Sequence, residues 1–112
     1  MNGITTHVLD TSLGKPAVGV SVVLSLRDEQ GLHELARAQT DADGRVRQFS
    51  APTLLVAGVY QLTFETAAYF RATTREAFFE RAQLEFRVED ATQHHHVPLL
   101  LTPFGYTTYR GT

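Results

Sequence analysis

The sequence predicts an all-β sandwich. Most of it alternates apolar and polar residues at period two, the mark of strands with one buried face. Turn residues recur at intervals of roughly ten, the spacing of a sandwich or barrel. Only one stretch follows a helical rhythm instead. At 112 residues, the chain suits a single domain over 1–112. A chain of that length buries about two thirds of its unfolded surface without metal or disulfide staples.

A weaker strand candidate, "ITTHVLD", comes first, with Ile4, Thr6 and Val8 on one face and Thr5, His7 and Leu9 on the other. After the turn residues of "SLGKPA", the stretch "VGVSVVLSLR" places Val18, Val20, Val22, Leu24 and Leu26 together on one side. "DEQG" reverses the chain into a weaker candidate, "HELARAQT". "DADG" then leads into another weak candidate, "RVRQF". The DADG spacing is not a calcium loop, because its first and twelfth positions would be Gln39 and Ser50. "VYQLTFET" aligns Tyr60, Leu62 and Phe64, and "LEFRVED" aligns Leu84, Phe86 and Val88. Between them "TTREAFFERAQ" reads as the short helix, with Thr73 and Glu76 at capping-box spacing.

The tail, "HHHVPLLLTPFGYTTYRGT", reads as two strands around a Pro-Phe-Gly turn. Alternation sends His95, Val97, Leu99 and Leu101 inward, and leaves His94, His96, Pro98, Leu100 and Thr102 outward. A leucine beside histidines on an outer face suggests cover by another subunit.

Composition excludes several functions. With 12 acidic and 10 basic side chains, the net charge is −2, so neither a nucleic-acid face nor a polybasic membrane anchor is expected. The chain has no cysteine, which excludes disulfides, thiol catalysis and Cys-ligated zinc. The opening residues do not read as a signal peptide, and the longest apolar run, Val97–Leu101, is too short to span a bilayer. A cytoplasmic location is therefore expected.

His7 and His96 are candidate general bases, since imidazole titrates near neutrality. His33 and His94 read as plain surface residues. His94 and His96 stand two apart on one face, but no companion ligand is spaced to complete a metal site with them. Arg45, after the Asp-Gly turn, offers a planar fork of donors. Ser12, Ser50 and Thr107 lack a nucleophile-elbow context. Residue patterns alone reach an oligomeric β-sandwich with polar residues on mixed faces, and no further.

"HVLD", "GKPA", "DADGR" and the tail, in this order, resemble the 5-hydroxyisourate hydrolases, transthyretin-related enzymes of purine catabolism. The match runs from His7 to Thr112, with "AYF" and "AFF" between. Transthyretin, the carrier on the same fold, lacks the histidine pair and the Tyr-Arg-Gly-Ser ending. The resemblance implies a transthyretin-like sandwich of two four-stranded sheets with a short helix after the fifth strand. It implies a homotetramer, a dimer of dimers, with active sites in the channel between dimers. The implied reaction opens the six-membered ring of 5-hydroxyisourate to give 2-oxo-4-hydroxy-4-carboxy-5-ureidoimidazoline, with no metal or organic cofactor. The alternative is a non-catalytic small-molecule carrier binding in a transthyretin-like channel.

Carried over residue by residue, the resemblance assigns His7 and His96 to the attacking water and Arg45 to the substrate ring and its developing charge. Tyr109, Arg110 and Gly111 would line the pocket, and Thr112 would complete its hydrogen bonds. Two positions depart from the family: His95 stands where a tyrosine is expected, and Thr112 where a serine is.

Overall fold

The computed structural model describes residues 3–51 and 54–112. Nine strands and one helix follow in order: β1 (Ile4–Asp10), β2 (Lys15–Pro16), β3 (Ser21–Asp28), β4 (Gly31–Gln39), β5 (Arg45–Val46), β6 (Gly58–Phe64), α1 (Thr66–Ala72), β7 (Ala82–Val88), β8 (His95–Thr102) and β9 (Gly105–Thr108). One sheet runs β4-β3-β6-β7, antiparallel throughout. The other runs β2-β1-β8-β9, with β5 also paired to β1. Because β8 occupies one edge of β1 along its whole length, β2 and β5 must share the other edge. The second sheet is therefore four positions wide, and the expected two four-stranded sheets hold once that shared edge is recognised.

The alternation read from the sequence is the burial pattern. Ile4, Thr6, Val8 and Asp10 of β1 are buried, while Thr5, His7 and Leu9 are half-exposed. Tyr60, Leu62 and Phe64 face inward from β6, as do Val20, Val22 and Leu24 from the β3 region. Val18 does not join them; it lies in the turn before β3 and is exposed. Of "RVRQF" only Arg45 and Val46 pair, although Phe49 is fully buried.

The helix is real but displaced. It spans Thr66–Ala72 and buries Thr66, Ala67, Tyr69 and Phe70. Thr73 ends it rather than starting it: its hydroxyl donates back to the carbonyls of Tyr69 and Phe70, and Thr74 adopts φ 58°. A threonine hydroxyl serves helix starts through amides and helix ends through carbonyls, so spacing to Glu76 alone could not distinguish the two. The segment from Arg75 to Glu80 is irregular and leaves Phe78 exposed.

Candidate functional site

The outer face of the β1–β8 pair gathers the site. These strands run parallel, with Thr5 opposite His96, His7 opposite Pro98 and Leu9 opposite Leu100. On the other edge of β1, His7 pairs with Arg45. His7 and His96 are thus diagonal neighbours on one face, the kind of pair that long side chains bridge.

The DADG loop sets Arg45 in place. Asp41 Oδ1 accepts hydrogen bonds from the amides of Asp43 and Arg45, at 2.8 and 2.9 Å. Gly44 sits at φ 75° where the loop crosses β1. A Cβ there would lie 2.4 Å from the Val8 carbonyl oxygen, so only glycine lets the loop approach this closely. The Val8 amide donates to the Gly44 carbonyl at 2.7 Å and locks the crossing.

The same loop orients His7. The Asp43 carbonyl lies 2.8 Å from His7 Nε2 and can only accept, so Nε2 carries a proton, and in the neutral ring the lone pair is on Nδ1. His7, Arg45, Asp43, Leu9, Pro16 and Arg47 line an open depression of about 470 Å³.

His96 is half-buried. Desolvation first, and then the charges of Arg45, His94 and His7, hold its pKa below the ordinary histidine value. The strand register sets Arg45, His7 and His96 on neighbouring positions of β5, β1 and β8. The lowered pKa favours the neutral form of the ring, which has a lone pair with which to accept a proton.

The terminal residues return to this point. After β9 the chain rejoins β8 in the same antiparallel register, where the Gly111 amide donates to the His96 carbonyl at 2.8 Å. Tyr109 and Arg110 line a second cavity of about 350 Å³, together with His95 and His96, between the β7 edge and the β8–β9 edge. His96 lines this second cavity, whereas His7 and Arg45 line the first depression. Thr112 is exposed just beyond Gly111. One protomer therefore brings His7, Arg45, His96 and Gly111 together and directs Tyr109 and Arg110 to the neighbouring cavity.

His95 points into the core as its alternation requires, 5% exposed, and its Nδ1 has no hydrogen-bond partner among the described residues. His33 is a surface residue paired with Asp28 at 2.9 Å. His94 is exposed but not idle: its Nε2 lies 2.8 Å from Thr5 Oγ1, which is also 2.8 Å from His96 Nδ1. Sequence reasoning passed over Thr5 and set His94 aside. Only the parallel register of β1 against β8 places them together, and no sequence spacing announces that register.

Among the described residues, no three His, Cys, Asp or Glu side chains converge as metal ligands, and no helix is long and apolar enough to cross a membrane.

The model of the HIUase/Transthyretin family matches residues 4–111. The 5-hydroxyisourate hydrolase of Caulobacter vibrioides is 44% identical, with both chains covered in full. The structure of the Klebsiella pneumoniae 5-hydroxyisourate hydrolase superposes with a TM-score of 0.85 at 46% identity, covering 97% of this chain and 98% of that one. Sea bream transthyretin in complex with thyroxine superposes with a TM-score of 0.91 at 30% identity, covering 98% and 95%. On the family match and these full-length similarities, the chain belongs to the HIUase/transthyretin family.

Proposed function

We propose that the protein hydrolyses 5-hydroxyisourate to 2-oxo-4-hydroxy-4-carboxy-5-ureidoimidazoline in urate catabolism. The backbone does not discriminate hydrolase from carrier, since both kinds of neighbour superpose well. The observation that carries the reading is the juxtaposition of Arg45, His7 and a neutral-leaning His96 on one face. A carrier has no use for a base held ready in that way. The full-length similarity to proteins named as 5-hydroxyisourate hydrolases supports the same conclusion.

In this reading His7 and His96 hold a water against a ring carbonyl carbon. His96 accepts a proton from it, while His7 offers its free Nδ1 as a second acceptor. As the water oxygen bonds to that carbon, charge gathers on the carbonyl oxygen beside the Arg45 guanidinium, where fixed donors act most strongly; when the C–N bond then breaks, the ring nitrogen leaves with the water's second proton. Imidazole and guanidinium supply this chemistry without a metal or organic cofactor. Tyr109, Arg110 and Gly111 bound the pocket, and Thr112 contributes its hydroxyl or carboxylate.

We further propose a homotetramer, a dimer of dimers, in which the outer face of the β1–β8 pair becomes the wall of a channel. Leu9 and Leu100 lie side by side on that face and are only half-buried in the protomer, which supports their cover by a second copy.

The test is spectroscopic. Urate oxidase generates 5-hydroxyisourate, and its ultraviolet decay is followed with and without the protein. Decay well above the spontaneous rate is expected. His7→Ala, Arg45→Ala and His96→Ala should each lower turnover by roughly a hundredfold or more at unchanged assembly mass. Decay at the spontaneous rate with wild-type protein would end the hydrolase reading.

A further inference from the structure

Thr5 and His94 are not used by the proposed hydrolysis, yet both are bonded into its base. Thr5 Oγ1 lies 2.8 Å from His96 Nδ1 and 2.8 Å from His94 Nε2. A hydroxyl has one proton to give and lone pairs with which to accept. If it satisfies both rings, it donates to one imidazole and accepts from the other. In one of the two arrangements Thr5 donates to His94, and His96 donates its Nδ1–H to Thr5. That arrangement leaves the lone pair of His96 on Nε2, as a base requires.

We propose that Thr5 and His94 form a proton relay, carrying away to solvent the proton that His96 takes from the attacking water. The proposal rests on the hydrolase reading above. In the step, water gives a proton to His96 Nε2 as its oxygen bonds to the substrate carbon. The His96 Nδ1 proton passes to Thr5 Oγ1, and the Thr5 hydroxyl proton passes to His94 Nε2. His94 ends protonated and His96 ends neutral, so one proton has moved from water to His94. Exposed His94 then releases a proton to bulk solvent.

The location favours this direction. A proton left on His96 would sit on a half-buried ring under the charges of Arg45 from β5, His7 from β1 and His94 from the start of the tail. On His94 it is hydrated. Thr5 and His96 are register partners on adjacent strands, so the backbone ladder fixes the central bond of the relay. These are positioning residues that act through His96 rather than on the substrate.

The test separates the relay from the hydrolase reading. Wild-type turnover reports on the reading itself. Given turnover, Thr5→Val should lower kcat about tenfold with KM within about twofold, and Thr5→Ser should restore it. His94→Ala should be slowed similarly and recover as imidazole is added to the buffer. Wild-type kcat in Thr5→Val or His94→Ala, or no recovery of His94→Ala with imidazole, overturns the relay. A second readout needs neither turnover nor substrate. Imidazole ¹⁵N spectra should show His96 carrying its proton on Nδ1 in the wild type and in Thr5→Ser, but on Nε2 in Thr5→Val. A His96 proton on Nε2 in the wild type, or the same tautomer in Thr5→Val, overturns the relay even if the protein proves inactive.

Discussion

Gly111 owes its identity to the ring beside it. A Cβ at this position would lie 2.6 Å from His96 Cδ2 and 3.2 Å from Pro98 Cγ, so either the tail or the ring must shift, and the ring is tied to Thr5 through Nδ1. Gly111→Ala should therefore push the tail off β8 or tilt the imidazole. Turnover is expected to fall by tenfold or more, since small displacements of a base are costly. The thermal midpoint should barely move, because the affected bridge lies beyond the last strand; a melt beside a rate measurement checks both. Period-two alternation correctly sent His95 inward and His96 outward. It could not supply the partner that Nδ1 of His95 lacks, because a tyrosine hydroxyl and an imidazole nitrogen reach different places. Thr5 was illegible for another reason: a strand threonine gains chemical meaning only from the residue across the ladder.

At the scale of elements, β1 is fixed at its far end by Asp10, whose side chain is fully buried. It accepts hydrogen bonds from Ser12 at 2.6 Å, the Tyr69 hydroxyl of α1 at 2.8 Å and Arg75 at 2.6 Å. Burial pushes the carboxyl pKa up, but the bonds from Arg75, Ser12 and Tyr69 and the Arg75 charge outweigh it and hold it at about 2, against an ordinary 3.8. A folded pKa below the unfolded one adds stability above pH 3.8, and that stability is lost as pH falls toward 2. The loss amounts to about 2 kcal/mol. Urea unfolding across this range should show that acid limb in the wild type and a shallower one in Asp10→Asn. The variant should also be less stable at neutral pH by about 3 kcal/mol, since Arg75 loses its anion in a part-buried place. β1 was legible only as a weaker candidate, because Thr6 and Asp10 put polar side chains on its buried face and Leu9 an apolar one on the other. The helix was misplaced because Thr73 and Glu76 stood at capping-box spacing and Ala77, Phe78 and Arg81 followed a helical rhythm, whereas Tyr69 and Phe70 do the burying. Tyr69 is also drawn inward by Asp10, a tertiary contact that no local pattern encodes.

At the scale of the whole molecule, the half-covered leucines of the β1–β8 face place the proposed channel wall directly beside the bases. Leu100→Glu would set a carboxylate against its counterpart across that wall. The mass by light scattering is expected to fall from tetramer to dimer, with turnover falling alongside it. An unchanged mass would assign the face to solvent. Fold class and layer count were legible because they follow from alternation and turn chemistry. The assembly of the site was not, because it depends on which strands become neighbours across the full chain. The parallel pairing of β1 with β8 has a consequence for synthesis. His7 and Arg45 leave the ribosome early, but the β1–β8 half of the proposed site waits until His96 and Gly111 have been added. A chain stopped before β8 thus carries only half of the proposed site. In the proposed hydrolysis, turnover therefore starts only after β8 has been made, and product formation does not report chains that stop short of it.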